Sequence, residues 1–280
     1  MRLISRLEQD SRLDGAVSAG QRVARMIRPG KVRDALHGVW LGHPVHPVLV
    51  QGAAGAWLSA TFLDFTGDER SARRLTAAGI GAAIPAALAG AADWSEQHEQ
   101  QMRVGVIHAV GNIMALGLYA ASLARSGPLG GPRAGRRLRL AGLAAVSASG
   151  VLGGHISFHL AGGANHAEDV PHLVQPGWQH LMLASDLPEG KPVRRLLGEV
   201  PVVAIRSGGT VHVLADRCSH MSGPLSDGEF ADGCLTCPWH GSVFRIADGS
   251  VARGPATAPQ PAFEAREAGG AIQVCLPGAG

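Results

Sequence analysis

Four residues whose side chains bind metals lie in two short groups near the C-terminal end of the chain. Cys218 and His220 form a Cys-x-His pair, and Cys237 and His240 form a Cys-x-x-His pair after sixteen intervening residues. Each pair is short enough for one tight loop to direct both side chains at a single metal centre. A zinc ion accepts this set in a closed tetrahedral site. A [2Fe–2S] cluster accepts it as two thiolates on one iron and two imidazoles on the other.

The residues that flank the two pairs distinguish between these centres. The first pair continues into Met221-Ser222-Gly223-Pro224-Leu225, the second into Gly241-Ser242-Val243-Phe244, and Gly254-Pro255-Ala256 follows downstream. This text closely resembles a Rieske domain over roughly residues 174–280. The resemblance implies a [2Fe–2S] cluster with Cys218 and Cys237 on one iron and His220 and His240 on the other. It also implies a small antiparallel β domain with both ligand loops at one tip.

The resemblance also bears on the redox potential. In the high-potential Rieske proteins of cytochrome bc complexes, a Ser and a Tyr donate hydroxyls to cluster sulfurs, and an additional Cys pair ties the ligand loops together. Ser242 stands at the Ser position, but Phe244 stands at the Tyr position, and Gly223 and Trp239 stand where the bridging Cys would be. Because hydrogen-bond donors around a cluster tune its potential, we expect a value below the bc-complex range and nearer that of ferredoxin-type Rieske proteins.

Composition separates the chain into two unlike parts. The 280 residues leave room for two domains, and the mean hydropathy of +0.11 is high for a soluble protein. Residues 165–280 carry 8 basic and 12 acidic side chains, whereas the preceding part carries 17 basic and 10 acidic ones. The basic residues are not interleaved with aromatic residues or set in a recognition motif, so we expect no nucleic-acid partner.

Four apolar segments without a charged residue occupy the first part: residues 47–63, 75–92, 104–124 and 140–167. Each has close to or above the roughly 20 residues that a helix needs to cross a membrane. Gly150 with Gly154, and Ala86 with Gly90, form faces of small residues of the kind that pack helices in lipid. We therefore predict four transmembrane helices, with membrane lipid as a partner, rather than a soluble bundle.

The predicted fold class is accordingly α plus β in two domains, a four-helix transmembrane bundle followed by the small antiparallel Rieske domain. The boundaries are 1–33 for a polar, amphipathic N-terminal segment, 34–162 for the bundle, 163–173 for a linker and 174–280 for the Rieske domain. Apolar residues such as Ile4, Leu7 and Val23 recur at helical spacing in the first segment. They predict either a helix on a membrane surface or a solvated helix.

Four crossings bring the start of the first helix and the end of the fourth to one membrane face, which the cluster domain must share. The bundle histidines fall at that face. His37, His98 and His159 are interpreted as boundary or capping residues. The remaining candidates, together with one carboxylate, are residues that could serve a haem b, a quinone or a metal ion: His43, His46, Asp93, His108 and His155.

The bundle also resembles a bacterial four-helix membrane family known only as a domain of unknown function, which is frequently fused to a Rieske domain. The matching text is residues 36–47, Ala92-Asp93-Trp94 and Gly153-Gly154-His155, within residues 34–162. This resemblance implies an architecture and no activity.

Orientation rests on opposing signals. Arginines between helices one and two and between helices three and four favour an external cluster domain: Arg70, Arg73, Arg74, Arg125, Arg133, Arg136, Arg137 and Arg139. The N-terminal segment on the cluster's own face is equally basic, and the missing disulfide suits a reducing compartment. We expect a multi-pass protein of the cell membrane with its cluster domain on the cytoplasmic side.

The predicted function is that of a membrane-anchored carrier of one electron. Its donor and acceptor could be the quinol pool, a ferredoxin or a reductase. The alternative is a quinone-linked membrane oxidoreductase with a haem b or quinone site in the bundle. In the Rieske domain, residues 201–206 and 211–215 predict a hairpin around Gly208-Gly209, and further strands are predicted at 234–237, 243–246 and 272–276. Cys234 and Cys275 are interpreted as two buried thiols.

Overall fold

The structure is a computed structural model that describes residues 2–125 and 132–277. The chain divides into two compact units, one made of Met1–Arg28 and Val45–Gly162 and the other of Pro29–Pro44 and Gly163–Gly280. The described part of the first unit is helical, and the second is built on antiparallel sheets with two short helices. The predicted fold class, four apolar helices followed by an antiparallel β domain, is confirmed.

The described residues form eight α-helices. In chain order they are α1 (Arg2–Glu8), α2 (Asp14–Ala24), α3 (Lys31–His37), α4 (His46–Thr66), α5 (Glu69–Trp94), α6 (Glu99–Arg125), α7 (Pro132–Gly154) and α8 (Val170–Leu173).

The four long helices α4 to α7 coincide with the predicted apolar segments, and all four are long and apolar enough to cross a membrane. Their ends have local causes: Asp68 caps α5 by accepting a hydrogen bond from the Ser71 N–H at 3.1 Å, and Gly67 ends α4 in the left-handed conformation. The fourth helix is displaced from its predicted segment, because it begins at Pro132 rather than at residue 140 and ends before residue 167. A π-helical turn, His155–His159, follows α7, and residues 160–167 are not helical.

The helices of the first unit approach one another where a glycine on one helix faces a ring on the next. A Cβ on Gly79 would lie 2.4 Å from the Trp57 ring, and a Cβ on Gly90 would lie 2.8 Å from the His46 ring. The predicted face of Ala86 and Gly90 is therefore a packing face. The predicted face of Gly150 and Gly154 does not pack against another helix. A Cβ on Gly150 would meet nothing within 4 Å, and a Cβ on Gly154 would meet only Phe158, four residues further along the chain.

Polar side chains occupy the interior of this unit. Arg139 is completely buried, and its guanidinium donates to both carboxylate oxygens of Asp64 at 2.5 and 2.7 Å. The predicted orientation treats four arginines as residues of the loop between helices three and four. Arg133, Arg136, Arg137 and Arg139 lie within α7 rather than in a loop, and the charge of Arg139 is neutralised inside the bundle. Residues 126–131 lie outside the described part.

The N-terminal helices α1 and α2 pack on the long helix α6. Arg103 of α6 binds the Asp14 carboxylate at 2.7 Å and donates to the main-chain oxygen of Glu8 at 3.1 Å. Gln21 donates to the Ser95 main-chain oxygen at 3.1 Å. The segment predicted to form one helix thus contains two, and both belong to the helical unit.

The second unit contains ten strands. They are β1 (Gln179–Leu183), β2 (Val193–Leu197), β3 (Val200–Ser207), β4 (Thr210–Ala215), β5 (Glu229–Ala231), β6 (Cys234–Thr236), β7 (Val243–Arg245), β8 (Val251–Arg253), β9 (Ala262–Ala268) and β10 (Ala271–Cys275). These strands pair antiparallel with their neighbours, in a six-stranded sheet of order β1-β10-β9-β4-β3-β2 and a four-stranded sheet of order β5-β6-β7-β8.

The predicted hairpin is confirmed as β3 and β4, which pair from Val202 and Ala215 to Ser207 and Thr210 around the two glycines. The other three predicted strands correspond to β6, β7 and β10. Cys234 and Cys275 are free thiols, as interpreted, but both are half-buried rather than buried.

Two segments belong to a different unit from the one in which the predicted domain boundaries placed them. Residues 29–44, which contain α3, belong to the β unit by their contacts. The predicted linker 163–173 packs there too, because Ala167 and Val170 are buried in its larger hydrophobic core. The assignment of functional domains otherwise stays a prediction.

The buried ion pair generates a stability prediction. We expect Asp64→Ala to lower the free energy of unfolding by about 3–5 kcal/mol, because it leaves the Arg139 charge buried without a counter-charge. Thermal unfolding of the full chain in detergent measures this. Glu99→Ala is the control, because Glu99 binds Arg103 but its side chain is 77% exposed; its loss should cost no more than about 1 kcal/mol. Equal unfolding temperatures for Asp64→Ala and wild type would contradict the expected role of the pair.

Candidate functional site

Two loops at one end of the β unit are closed by the same main-chain hydrogen bonds. In the first, the Cys218 N–H donates to Gly223 O and the Ser222 N–H donates to Cys218 O, both at 2.8 Å. In the second, the Cys237 N–H donates to Ser242 O at 2.8 Å and the Gly241 N–H donates to Cys237 O at 3.1 Å. Each loop therefore spans six residues and begins with a cysteine.

The residue before the closing position has a positive φ in both loops, 64° at Ser222 and 74° at Gly241. The left-handed conformation turns the chain back towards its cysteine. Glycine adopts it without steric cost, whereas Ser222 does so at some cost in strain. The two loops therefore share one backbone closure although the spacing of their predicted ligands differs, Cys-x-His in one and Cys-x-x-His in the other.

The two cysteine sulfurs lie at the buried bottom of the loops. A hydrogen bond between the thiols, assisted by burial, raises the pKa of Cys218, and the same hydrogen bond lowers the pKa of Cys237 to about 7. Main-chain N–H groups also favour the thiolates: those of His220 and Met221 at Cys218, and those of Trp239 and His240 at Cys237. Since the thiolate is the metal-binding form, these N–H groups favour metal binding, against the burial that raises the pKa of Cys218.

The two imidazoles lie beside each other nearer the surface. The His220 and His240 ring centroids are 5.0 Å apart with the ring planes at 87°. Both residues are half-buried, whereas both cysteines are buried. The structure thus brings together all four predicted ligands, with sulfur donors inside and nitrogen donors outside. This donor set fits a centre with two chemically different irons, one held by thiolates and one by imidazoles.

Gly223 and Trp239 face each other across the two loops, at the positions where the resemblance implied a missing disulfide. A Cβ on Gly223 would lie 2.9 Å from the Cys237 sulfur and 3.0 Å from the Trp239 ring. The indole ring therefore covers the first loop in van der Waals contact. A packing contact therefore joins the loops at the two positions where the resemblance implied a disulfide in high-potential Rieske proteins.

A third loop, residues 254–260, is held to both ligand loops by side chains. The buried Gln260 amide accepts from the Ser219 N–H at 3.0 Å and donates to Ala215 O at 2.8 Å and to Arg217 O. Ser242 is completely buried, and its hydroxyl oxygen accepts from the Ala256 N–H at 2.9 Å. Sequence reasoning named Ser242 but missed Gln260, because a lone glutamine gives no signal until its loop is folded against another.

Helix α3 also contacts this third loop. The Asp34 carboxylate accepts from the Gly254 N–H at 3.0 Å, and a Cβ on Gly254 would lie 3.1 Å from Val39 and 3.4 Å from His37. His37 was interpreted as a membrane-boundary residue. It is instead 1% exposed within the β unit and accepts from the Arg33 guanidinium at 3.3 Å.

The bundle histidines predicted to converge are engaged in separate contacts. His46 hydrogen bonds to Ala86 O and His108 to Ser149 O, both through Nδ1 at 2.8 Å. The Nε2 atom of His108 lies 3.0 Å from the Asn112 amide nitrogen, so both of its ring nitrogens have protein partners. His155 Nε2 lies 2.8 Å from Glu8 Oε1.

The remaining two candidates lie elsewhere. His43 is exposed, belongs to the segment that packs with the β unit, and contacts the main-chain oxygen of its neighbour Pro44 at 3.0 Å. Asp93 is half-buried in the last turn of α5. The role of these five residues towards a haem, a quinone or a metal stays a prediction.

Comparisons with known proteins match the β unit. The sequence profile of the Rieske [2Fe-2S] domain matches residues 177–264. The anthranilate 1,2-dioxygenase ferredoxin subunit of Burkholderia cepacia is 31% identical over 97 residues, which are 35% of this chain and 90% of that protein. The 3-phenylpropionate/cinnamic acid dioxygenase ferredoxin subunit of Escherichia coli (strain K12) is 34% identical over 95 residues, which are 33% of this chain and 88% of that protein.

Solved structures match the same share of the chain. One chain of the complex of reduced oxygenase and oxidized ferredoxin in carbazole 1,9a-dioxygenase is 30% identical, with a TM-score of 0.33 and coverage of 35% of this chain and 92% of that one.

Gly223 generates a prediction about the site. A methyl group at this position overlaps Cys237 and Trp239, and overpacking of this kind costs about 1–3 kcal/mol. We expect Gly223→Ala to lose bound iron faster than wild type when the purified protein is challenged with a chelator, as measured by iron content and visible absorption. Gly55→Ala is the matched control, because a Cβ there meets nothing within 4 Å. Unchanged iron retention in Gly223→Ala would show that the close approach of the loops does not matter.

Proposed function

This chain belongs to the Rieske [2Fe–2S] family through its C-terminal β domain, and on that premise we propose that it is a membrane-anchored electron-transfer protein. Ferredoxin subunits are its relatives, and a [2Fe–2S] cluster is the cofactor of this family. When bound, the cluster takes up one electron and gives it back. The finer parts of the proposal are the ligand assignment, the anchoring and the route of the electron.

The assignment of ligands rests on the arrangement of donors in the two loops, which is the observation that carries the proposal. Cys218 and Cys237 would hold the inner iron, because their sulfurs lie side by side and accept main-chain N–H groups that stabilise negative charge. His220 and His240 would hold the outer iron through their neighbouring rings. Neutral imidazoles at one iron raise the potential above that of a four-cysteine cluster.

The route of the electron follows from the difference in burial between the two pairs. The cysteines are buried and the imidazoles are half-exposed, so a docked partner approaches the imidazole edge. Trp239 lies beside His240, with ring centroids 6.4 Å apart, and is half exposed. An exposed tryptophan next to the site offers apolar contact area to a redox partner. The donor and acceptor are redox proteins or a quinol, and the naming of the relatives as dioxygenase ferredoxin subunits supports a protein partner.

Anchoring is supported by the inverted polarity of the helical unit. Large apolar side chains point outward from the long helices: Leu58, Phe62, Phe65, Ile84, Leu88, Val110, Ile113, Met114, Val151 and Phe158 are 48–93% exposed. Polar side chains are buried instead, among them Asp64, Thr76, Ser122, Arg139 and Ser149. Water would disfavour such a surface and lipid favours it, because a bundle in lipid gains nothing by hiding apolar groups.

Four crossings would bring the chain into and out of the membrane at the same face, which is where the cluster domain would lie. We propose the cytoplasmic face, supported by Cys234 and Cys275, which form no disulfide, and by the packing contact between the loops at Gly223 and Trp239. The quinone-linked oxidoreductase with a haem or quinone in the bundle stays an untested alternative. A Soret band in the visible spectrum of the purified full chain would favour it.

The redox potential tests the electron-transfer proposal. We expect a reversible one-electron Rieske-type EPR signal with a midpoint in the lower part of the family's range of roughly −150 to +300 mV. A strongly positive midpoint would contradict the expectation drawn from Phe244 and the absent disulfide, and a colourless protein with zinc in place of iron would overturn the function.

Ser242 offers a sharper version of this test. Its hydroxyl accepts the Ala256 N–H and so keeps its own proton to donate towards the site. A hydrogen bond to a charged group contributes about 1.5–3 kcal/mol, so we expect Ser242→Ala to lower the midpoint by about 60 mV or more. Ser185→Ala, which removes an exposed hydroxyl, is the control, and the iron content of each sample establishes that both retain the cofactor. An unchanged midpoint in Ser242→Ala would remove Ser242 from the tuning groups.

Membrane anchoring has a matched pair of variants. Ile113 and Leu196 are similarly exposed, at 67% and 63%, but Ile113 lies in α6 and Leu196 in β2. We expect wild type to remain in the membrane pellet after alkaline carbonate extraction. Ile113→Arg should reduce the inserted fraction, since arginine at a helix centre costs about 2.5–3.5 kcal/mol, while Leu196→Arg should not. Release of the wild-type chain by carbonate would rule out the anchor.

A further inference from the structure

A carboxylate and two imidazoles meet at the end of α7, in the helical unit and apart from the cluster ligands. Glu8, His155 and His159 each offer one ligand atom, and these three atoms lie within 4.8 Å of one another. His155 Nε2 is 2.8 Å from Glu8 Oε1. The rings of His155 and His159 stack with centroids 4.5 Å apart and planes at 29°. Distances of this size allow one small cation to contact all three groups.

The backbone under the two histidines is unusual. Residues His155–His159 form a π-helical turn, closed by the Leu160 N–H donating to His155 O at 3.1 Å. Such widened turns are rare within helices and occur frequently at functional sites. Here the turn begins and ends at the two histidines and sets both rings on one side. This local departure from α-helical geometry is a second feature, independent of the side-chain cluster, that points to a ligand.

Burial and charge favour a cation at this place. The side chains of His155 and Glu8 are only 7% and 15% exposed, and a carboxylate this far from water needs a positive partner. Arg103 reaches the main-chain oxygen of Glu8, but its guanidinium is bound to Asp14 at 2.7 Å and to Glu99 at 3.3 Å. The Arg103 guanidinium therefore contacts two other carboxylates, and at Glu8 it contacts the main-chain oxygen.

We propose that Glu8, His155 and His159 bind one divalent first-row transition-metal ion of the zinc type. Two imidazoles with one carboxylate are a ligand set of mononuclear zinc and related sites, whereas magnesium and calcium prefer oxygen ligands alone. His159 is exposed, so the fourth position is open to water. The ion ties α1 to the end of α7 and fixes the N-terminal helix on the unit. The site shares only His155 with the set predicted from sequence.

Zinc itself is the probe. The full chain, loaded with its cluster and dialysed against a chelator, is titrated with zinc, and zinc and iron are measured per chain. Full iron content excludes zinc from the cysteine loops. We expect one zinc per chain, with affinity at least about tenfold weaker in Glu8→Gln and in His159→Gln. Loss of a residue that only hydrogen bonds to a metal ligand already costs about tenfold in affinity, and loss of a ligand itself costs no less. His172→Gln, which removes an exposed histidine of the β unit, is the control and should bind as wild type does.

A second readout reports on the helix that the ion fixes. Arg6 is exposed in α1, so trypsin cleavage there measures how often this helix opens. Zinc should slow the cleavage at least severalfold in wild type and in His172→Gln, and should leave it unchanged in Glu8→Gln, whose amide keeps a hydrogen bond to His155 and so preserves the apo fold. Absence of zinc from the wild-type chain, or equal zinc affinity in wild type, Glu8→Gln and His159→Gln, would overturn the proposal.

Discussion

The pair of cysteine sulfurs at the bottom of the two ligand loops is the constraint on which the β unit depends. Two like groups that become anionic can share a buried place only if the backbone compensates their charge, and four main-chain N–H groups aimed at the sulfurs do so. The loops must therefore close tightly around each cysteine, which the repeated hydrogen bonds and the positive φ at Ser222 and Gly241 accomplish. The third loop and Gln260 then hold the two closures in register.

The same requirement explains why much of the smaller hydrophobic core lies directly beneath the loops. Cys218 and Cys237 pack among Leu225, Leu235 and Phe244, each less than 1% exposed. Exclusion of water by these apolar side chains strengthens each hydrogen bond to sulfur. The imidazole side is left as the side from which a partner can approach. The Gly223–Trp239 contact completes the enclosure without a covalent link, so this domain holds its loops by packing, a device that does not depend on an oxidising compartment.

The helical unit differs, because polar side chains such as Arg139 and Asp64 are buried in it while many large apolar side chains of its long helices are exposed. Glycines face the rings of Trp57, Trp94 and His46, which lets the backbones approach closely. His108 of α6 joins α7 through a hydrogen bond between its Nδ1 and the Ser149 main-chain oxygen, and Asn112, one turn further along α6, contacts its Nε2. His46 and His108 thus each make a polar contact from one helix to the next, whatever ligand the bundle binds.

Residue type and spacing along the chain determined the features that depend on local chemistry. The ligand spacing with its flanking residues indicated the cluster, the uncharged segments indicated four long helices, and Gly208-Gly209 indicated the hairpin between β3 and β4. These are short-range signals, in which neighbours in sequence act together. The helices and the hairpin are present in the structure, and the match to the Rieske [2Fe-2S] domain supports the cluster.

Only the tertiary structure decided which distant residues meet. No local pattern predicts that Asp34 contacts Gly254 or that Gln260 joins two loops. Nor does any pattern predict that Arg139 binds Asp64, or that Glu8 contacts His155, 147 positions away. The physical reason is that a single polar side chain specifies a need for a partner but not its identity. The packing of whole helices and loops supplies the partner. The sequence alone does not state which distant residues this packing brings together.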